Sequence, residues 1–367
     1  MKRPGSDGRD SAETDGGARN RRPRLEDVAA LVGLSPASVS LVLRNAPGPS
    51  AGTRERVLEA AARIGYRPDR TASLLARRRS RVLGVTFDIR NSFHAELVEN
   101  LYVAAEEVGY DLALSTLTRI RDEGQAVETL LDFRAEALVL LGTEIPAARL
   151  TSLDRRLPVI SVGRRIPAAD LDVVRASDDE GLGRAVAHLV ELGHRDIAFI
   201  DGGKGSIAAD RRRGYRTAMR AHRLTDRIRV LPGHHTEEAG ARAAERLLAE
   251  DALPSAVIAC NDRCAVGVLS TLGQAGVSVP DTLSVVGYDD SVLSRLASFD
   301  LTTVSQSPEE QARHAVAAAV ERLDGGRSVP REIVLTPRLM VRGTTAAPAR
   351  TRRPAEAYER GLPRPES

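Results

Sequence analysis

From Val82 onward, short apolar runs alternate with stretches of helical periodicity, and this alternation limits the possible folds more than any other feature. The runs are VLGVTFD, DLALS, ALVLL and PVISV, then DIAFI, IRVLP, AVIAC and LSVVGYDD. Helices are expected between them near 95–108 and 126–133 in the first series, and near 213–222, 237–249 and 268–272 in the second. Repeated β–α alternation of this kind gives parallel sheets covered by helices on both faces. Roughly 260 residues suit two such α/β lobes, each a doubly wound parallel sheet, better than one. Open parallel sheets bind ligands beyond the carboxyl ends of their strands, so polar residues there are the site candidates. They are Asp88, Asn91 and Phe93 after the first strand, Gly163 and Arg164 after PVISV, and Arg211 with Gly214 and Tyr215 at the start of a helix after DIAFI. Asn261 and Asp262 end AVIAC, Asp289 and Asp290 end LSVVGY, and Gln306 follows LTTVS. Structural roles stay open for some of these: Asp262 and Asp290 as helix caps, Asp178 as the cap of a helix running toward Leu192, and Arg164 in an ion pair.

Ahead of this region, residues 25–45 read as two short helices joined by a tight turn at Gly33. The first buries Leu25, Val28, Ala29 and Val32, apolar at i, i+3, i+4 and i+7. Glu26 and Asp27 sit where the positive end of its dipole favours them. Ser35-Pro36 opens the second helix with a capping hydroxyl and the imino acid favoured at the first helical position. Val39, Val42 and Leu43 form its buried stripe, which leaves Pro36, Ala37, Ser40, Leu41 and Arg44 facing outward, suited to a DNA major groove. Ser50 caps a third helix to about residue 64, with Val57, Ala60, Ala61 and Ile64 buried and Gly65 as its stop. The segment 69–80 could form a helix of about ten residues, too short to be stable alone.

Charge follows the same division. Residues 1–80 carry 16 Lys and Arg against 9 Asp and Glu, whereas the remainder holds 37 against 41. Such asymmetry is the footprint of a nucleic-acid-binding end on a non-binding body. Part of the excess lies in residues 1–23, a polar, Gly-rich tail expected to be disordered, where Arg19, Arg21 and Arg22, with the adjoining Arg24, either brush phosphates or are simply solvated. The Pro- and charge-rich segment 343–367 is expected to be unstructured as well. No run approaches the roughly 18 apolar residues of a membrane span, and the N-terminus is charged rather than signal-like, so a cytoplasmic protein is expected. Cys260 and Cys264 lack neighbouring histidines and read as two thiols, with no metal or cofactor implied.

Asp27-Val28-Ala29, Gly33-Leu34-Ser35, Val39-Ser40 and Val42-Leu43, then Ser50-Ala51-Gly52-Thr53-Arg54 and Gly65-Tyr66-Arg67-Pro68-Asp69-Arg70, stand at fixed spacing. In this they resemble the DNA-binding end of the lactose-repressor and galactose-repressor (LacI/GalR) family. The resemblance continues to about Arg342 and implies a helix-turn-helix domain over 24–68, a hinge helix over 69–80, and a core over 81–342. That core would have the type I periplasmic-binding-protein fold, two lobes with crossovers near 175, 304 and 333. Base and backbone contacts are implied for Ser35, Pro36, Ala37, Ser38, Ser40, Leu41 and Arg44. In the family the hinge helix pairs with its copy from a second subunit and wedges an apolar side chain into the minor groove; Ala72 and Leu75 occupy the matching positions. Effector contacts are implied for Asn91, Phe93, Arg164, Arg211, Asn261, Asp289 and Gln306, the polar groups bonding hydroxyls of a sugar and the aromatic packing on its ring. Three positions depart from the pattern. Leu41 stands where many members have a cation and can only meet a thymine methyl or exclude a base, while Arg44 replaces an asparagine and could reach guanine or phosphate. Gly163 stands where sugar binders often carry aspartate.

Enzyme readings fail on the residues. Gly202-Gly203-Lys204-Gly205-Ser206 lacks the order of a phosphate loop, and no G-x-S-x-G elbow is present. His234-His235 lack a metal-ligand partner at helical spacing. The expected function is a regulator, most often a repressor in this family, acting as a homodimer on a palindromic operator because two half-sites need two recognition helices. A small polar effector, which the family resemblance implies to be a sugar, would set its DNA affinity. A solute-binding protein of the same core fold would instead carry a signal peptide and no helix-turn-helix. A sugar-modifying α/β enzyme would need a nucleophile or an acid/base pair in the cleft.

Overall fold

The computed structural model describes residues 23–44, 46–66, 79–167 and 170–348. The expected hinge helix with Ala72 and Leu75, the basic tail through Arg22, and residues 349–367 lie outside the described residues. The chain divides into two compact units between Arg79 and Ser80.

The first unit holds α1 (Leu25–Val32), α2 (Pro36–Leu43) and α3 (Ala51–Arg63). Gly33, at φ +68°, ends α1 and returns its N–H to the Ala29 carbonyl, and the helix direction turns by 104° into α2. That left-handed conformation strains any residue with a Cβ. Ser35 Oγ accepts the Ser38 N–H at 3.2 Å, and Ser50 Oγ accepts the Thr53 N–H at 3.3 Å, so two helices start where their hydroxyls predict. Val28, Val39 and Val57 meet in a small aliphatic core with Ala29, Val32, Val42, Ala60 and Ala61. Arg56 donates to the Val32 carbonyl at 2.8 Å and Arg54 to the Ala46 carbonyl at 2.9 Å, which satisfies backbone acceptors at the end of α1 and just beyond α2.

The second unit contains two sheets. In the first lobe, β1 (Val82–Asp88), β2 (Asp111–Leu117), β3 (Ala137–Leu141), β4 (Val159–Val162), β5 (Asp172–Ala176) and β11 (Glu332–Leu335) pair in the order β11-β5-β4-β3-β1-β2, all parallel. α4 (Ser92–Glu107) and α11 (Pro308–Leu323) supply the core on one face. α5 (Glu123–Asp132) and α6 (Ala147–Asp154) supply the other. In the second lobe, β6 (Ile197–Ile200), β7 (Arg229–Leu231), β8 (Ala256–Ala259), β9 (Ser284–Asp289), β10 (Thr303–Ser305) and β12 (Arg338–Met340) run in the order β12-β10-β9-β8-β6-β7, with only β12 antiparallel. α7 (Asp178–Glu191), α8 (Ser206–Ala221), α9 (Glu237–Leu248) and α10 (Asp262–Gln274) pack around it. The chain passes between lobes three times: after Ala176, after Ser305, and between Leu335 and Arg338. Among the described residues no single helix is long and apolar enough to cross a membrane.

Several helices begin earlier than their apolar periodicity suggests, because polar caps set their starts. Asn91 caps α4, and Asp122 with Gln125 forms a reciprocal capping box at α5. α8 also starts earlier, at Ser206 without a capping side chain, so Arg211 lies inside it rather than at its start. The expected unstructured tail from 343 is corrected: the Val285 N–H donates to the Thr344 carbonyl at 2.8 Å, Thr344 Oγ1 to the Val285 carbonyl at 2.7 Å, and the Ala346 N–H to Ser284 Oγ at 3.1 Å. Side-chain hydroxyls supply partners that regular strand pairing does not.

α9 and α10 approach closely through two glycines. A Cβ on Gly267 would stand 1.9 Å from the Glu237 carbonyl oxygen, and one on Gly240 2.0 Å from that of Cys264. Gly267→Ala is therefore expected to destabilise the protein by about 2–3 kcal/mol through forced separation of the helices. Gly273→Ala, on the same helix with nothing within 4 Å of its would-be Cβ, serves as the control. Denaturant unfolding of both variants checks this, and equal losses would remove the packing explanation.

Candidate functional site

A cavity of about 530 Å³ lies between the lobes, beyond the carboxyl ends of the strands. Its size is in the range of small-ligand sites. From the first lobe it is lined by Asp88, Asn91, Phe93, His94 and Gly163, among others, and from the second by Arg211, His235, Asn261, Asp289 and Gln306.

The floor is built around Arg211, which is only 4% exposed. Its Nε donates to Asp178 at 3.0 Å, one terminal nitrogen donates to the Cys260 carbonyl, and another lies 3.7 Å from Asp289. The guanidinium also stacks 3.8 Å from the centre of the Tyr288 ring, and the Tyr288 hydroxyl donates to Asp178 at 3.1 Å. A planar fork with five donors suits this many partners in a way an ammonium does not. Gln306 Nε2 donates to Asp289 at 2.7 Å. Burial pushes the Asp289 carboxyl up to about 8, against the pull of Arg211. The backbone is strained here: Asp289 stands at φ +122° and Asp290 at +57°, both regions that side chains disfavour. The Arg342 guanidinium holds Asp290 at 2.6 Å.

Two asparagines use their side chains as helix caps at the cavity wall. Asn91 Oδ1 accepts the Phe93 N–H at 3.1 Å at the start of α4, and Asn261 Oδ1 accepts the Cys264 N–H at 2.9 Å at the start of α10. Each amide oxygen is thereby fixed, which orients its NH₂ group.

Of the seven residues expected to meet effector, Asn91, Phe93, Arg211, Asn261, Asp289 and Gln306 line the cavity together. Arg164 is not among the lining residues. Gly163 occupies the strand end, and Arg164, one residue on, turns to Glu144 with a 3.0 Å ion pair, which agrees with its structural alternative. Asp178 is a partner of Arg211 rather than a cap, and Asn261 takes the capping role considered for Asp262. Asp262 instead accepts from Thr303 Oγ1, from the Ser291 N–H at 2.7 Å and from Ser291 Oγ at 2.8 Å.

Sequence reasoning missed His94 and His235, both in the wall. His94 Nδ1 accepts the Asp88 N–H at 3.1 Å. Burial drives His94 down to about 4 and His235 down to about 3, so both rings are neutral near pH 7. His235 follows β7, and the strand-end rule applied to IRVLP would have found it. Among the described residues no three potential metal ligands cluster. The GGKGS segment is a loop, with Gly203 at φ +87° and Gly205 at +110°, leading into α8 at Ser206.

In the first unit, Ser35, Pro36, Ala37, Leu41 and Arg44 are exposed on α2 and its ends, while Ser38 and Ser40 are half-buried. Leu41 is 39% exposed beside the buried Val39 and Val42. Arg44 Nε donates to the Ser40 carbonyl at 3.2 Å, which folds its stem back along the helix.

Residues 24–69 match the model for bacterial regulatory proteins, lacI family, and residues 186–345 match a periplasmic binding protein-like domain. The chain is 32% identical over 335 residues to the HTH-type transcriptional regulator CelR of Thermobifida fusca, covering 88% of this chain and 98% of that one. The lac repressor dimer bound to operator and the anti-inducer ONPF is similar with a TM-score of 0.77 at 27% identity, covering 89% of this chain and all of that one (100%). A complex of the transcriptional regulator CelR with cellobiose gives 0.64 at 29% identity, covering 88% and 100%. A helix-turn-helix unit joined to a two-lobed parallel-sheet core, matched at this identity over nearly the whole length of its relatives, makes the chain a member of the lacI family of bacterial regulatory proteins.

Proposed function

We propose that this protein is a cytoplasmic transcriptional repressor that binds a palindromic operator as a homodimer and changes operator affinity when a sugar-like effector enters the interlobe cavity. One observation carries the reading: the same chain presents an exposed face on α2 and a cavity whose floor is the Arg211–Asp289–Gln306 network. The complexes of its relatives, one with operator and one with cellobiose, favour the same assignment. Ser35, Pro36, Ala37, Ser38, Ser40, Leu41 and Arg44 would meet DNA, Ala72 and Leu75 would supply the minor-groove wedge, and Asn91, Phe93, Arg211, Asn261, Asp289 and Gln306 would meet effector. Coupling follows from linkage: an effector that binds one lobe arrangement more tightly shifts the population toward it, and operator affinity changes by the corresponding free energy.

Selection of sequences from a random duplex pool by the full-length protein, at fixed ionic strength, should enrich a two-fold symmetric site. Leu41→Ala should relax the preference at one position of each half-site at a cost of about 1 kcal/mol. Failure to enrich any sequence would sink the regulator reading.

Titration of the operator complex with cellobiose and a panel of mono- and disaccharides should find one that shifts operator affinity. Gln306→Ala should weaken that sugar by about 10–100-fold, through the lost bond and the released Asp289, with operator binding in its absence unchanged. Unaltered sugar affinity would remove Gln306 from the site.

A further inference from the structure

We propose that Glu144 is a latch across the cleft and that Arg164 is the positioning residue that aims it. Glu144 belongs to the first lobe, in the turn between β3 and α6. Its own N–H donates to Glu123 Oε2 at 3.0 Å, which fixes the turn. One carboxylate oxygen accepts from Arg164 at 3.0 Å within the same lobe. The other reaches the second lobe, where it accepts the Ser206 N–H at 3.4 Å and the Ser206 hydroxyl at 3.3 Å. Ser206 is the first residue of the 16-residue α8, so the carboxylate sits at the positive end of a helix dipole, where free N–H groups need acceptors. Gly205 makes the approach possible: a Cβ there would stand 3.2 Å from the same oxygen, at a φ of +110°. Arg164 is 11% exposed and its Nε finds no partner among the described residues; it pairs with Glu144, whose side chain is 59% exposed, and its charge also acts on Glu123.

The position of this contact gives it a consequence. α8 also carries Arg211, so the latch and the cavity floor are attached to one rigid helix. Other bonds cross the cleft independently: the Val292 N–H donates to Glu96 at 3.1 Å, and Arg263 reaches the Arg90 carbonyl. If Glu144 holds the lobes together, its loss weakens these as well. A residue that merely caps α8 would leave them untouched. The inference concerns the lobes themselves and stands apart from the identity of any effector.

Hydrogen–deuterium exchange of the ligand-free, full-length protein tests it, with thermal unfolding as the check on folding. Glu144→Ala is expected to speed exchange of the Ser206 amide by about tenfold and that of the distant Val292 amide by several-fold. Glu144→Gln, which keeps an acceptor and the shape but not the charge, should fall between; it carries the test if the alanine variant does not fold. Arg164→Ala should resemble a weaker Glu144→Ala, Arg164→Lys should restore part of the protection, and Arg164→Ala added to Glu144→Ala should change nothing further. An unchanged Val292 amide in Glu144→Ala would reduce Glu144 to a helix cap and overturn the latch. An additional effect of Arg164→Ala in the Glu144→Ala background would overturn the positioning role.

Discussion

A guanidinium taken out of water must find its counter-charges and acceptors within reach, and the cleft of this protein is shaped by meeting that demand at Arg211. The partners come from separate elements: Asp178 opens α7, the Cys260 carbonyl follows β8, and Tyr288 and Asp289 end β9. Each is placed by its own strand or helix start, so the network fixes where those elements end relative to one another. Replacing Arg211 would leave Asp178 and Asp289 buried without their shared cation, which is costlier than losing any one contact. The strained backbone at Asp289 and Asp290 belongs to the same arrangement, since it turns the end of β9 toward the guanidinium while Arg342 holds the following carboxylate.

The chain passes between the lobes three times, and one of these passages borders the cavity. Gln306 lies on the second passage, between β10 of one lobe and α11 of the other, and its amide bonds Asp289. Ser307, beside it, sits at φ +52°. Gln306, which lines the cavity, is thus itself part of a connection between the lobes. α11 follows this passage and packs in the first lobe, where Arg322 is anchored by Asp154 at 2.7 Å and Asp172 at 3.3 Å. The helix that follows the passage is thus firmly tied to one sheet.

Strands such as ALVLL and AVIAC were legible because a strand buried on both faces must be apolar throughout, and these runs recur between stretches of helical periodicity. β11 and β12 were not, because edge strands of four and three residues with exposed positions, EIVL and RLM, carry no such signature. The recognition helix was legible because Ser35-Pro36 marks its start chemically, whereas α8 was entered late because Gly205 gives no capping side chain. The strand-end rule gave a wider set of polar positions, Asp262 and Asp290 among them, that do not all line the cavity; six of the seven residues that the family resemblance picked from it do. Arg164 departs because its nearest anion, Glu144, lies on a neighbouring turn that pairing across the sheet brings close, which the linear chain does not reveal. His94 escaped notice, and His235 was weighed only as a metal ligand, because a neutral buried imidazole has no partner motif to announce it.

The charges around the cavity argue for the kind of ligand that suits it. Arg90 is engaged by Asp88 at 2.7 Å, Arg263 by Glu237, and Arg211 by Asp178 and Asp289. The two histidines are uncharged near neutral pH, because burial disfavours their cations. What these groups offer an incoming molecule is therefore directed hydrogen bonding rather than a field of one sign. A neutral polyol exchanges its water bonds for these at little electrostatic cost. Asn91 and Asn261, each with its amide oxygen spent on a helix cap, favour ligand acceptors over donors at their end. Asp289, with Gln306 and Arg211 as its neighbours, supplies the complementary acceptor. Hydroxyl groups, which donate and accept at once, satisfy both ends of such a site.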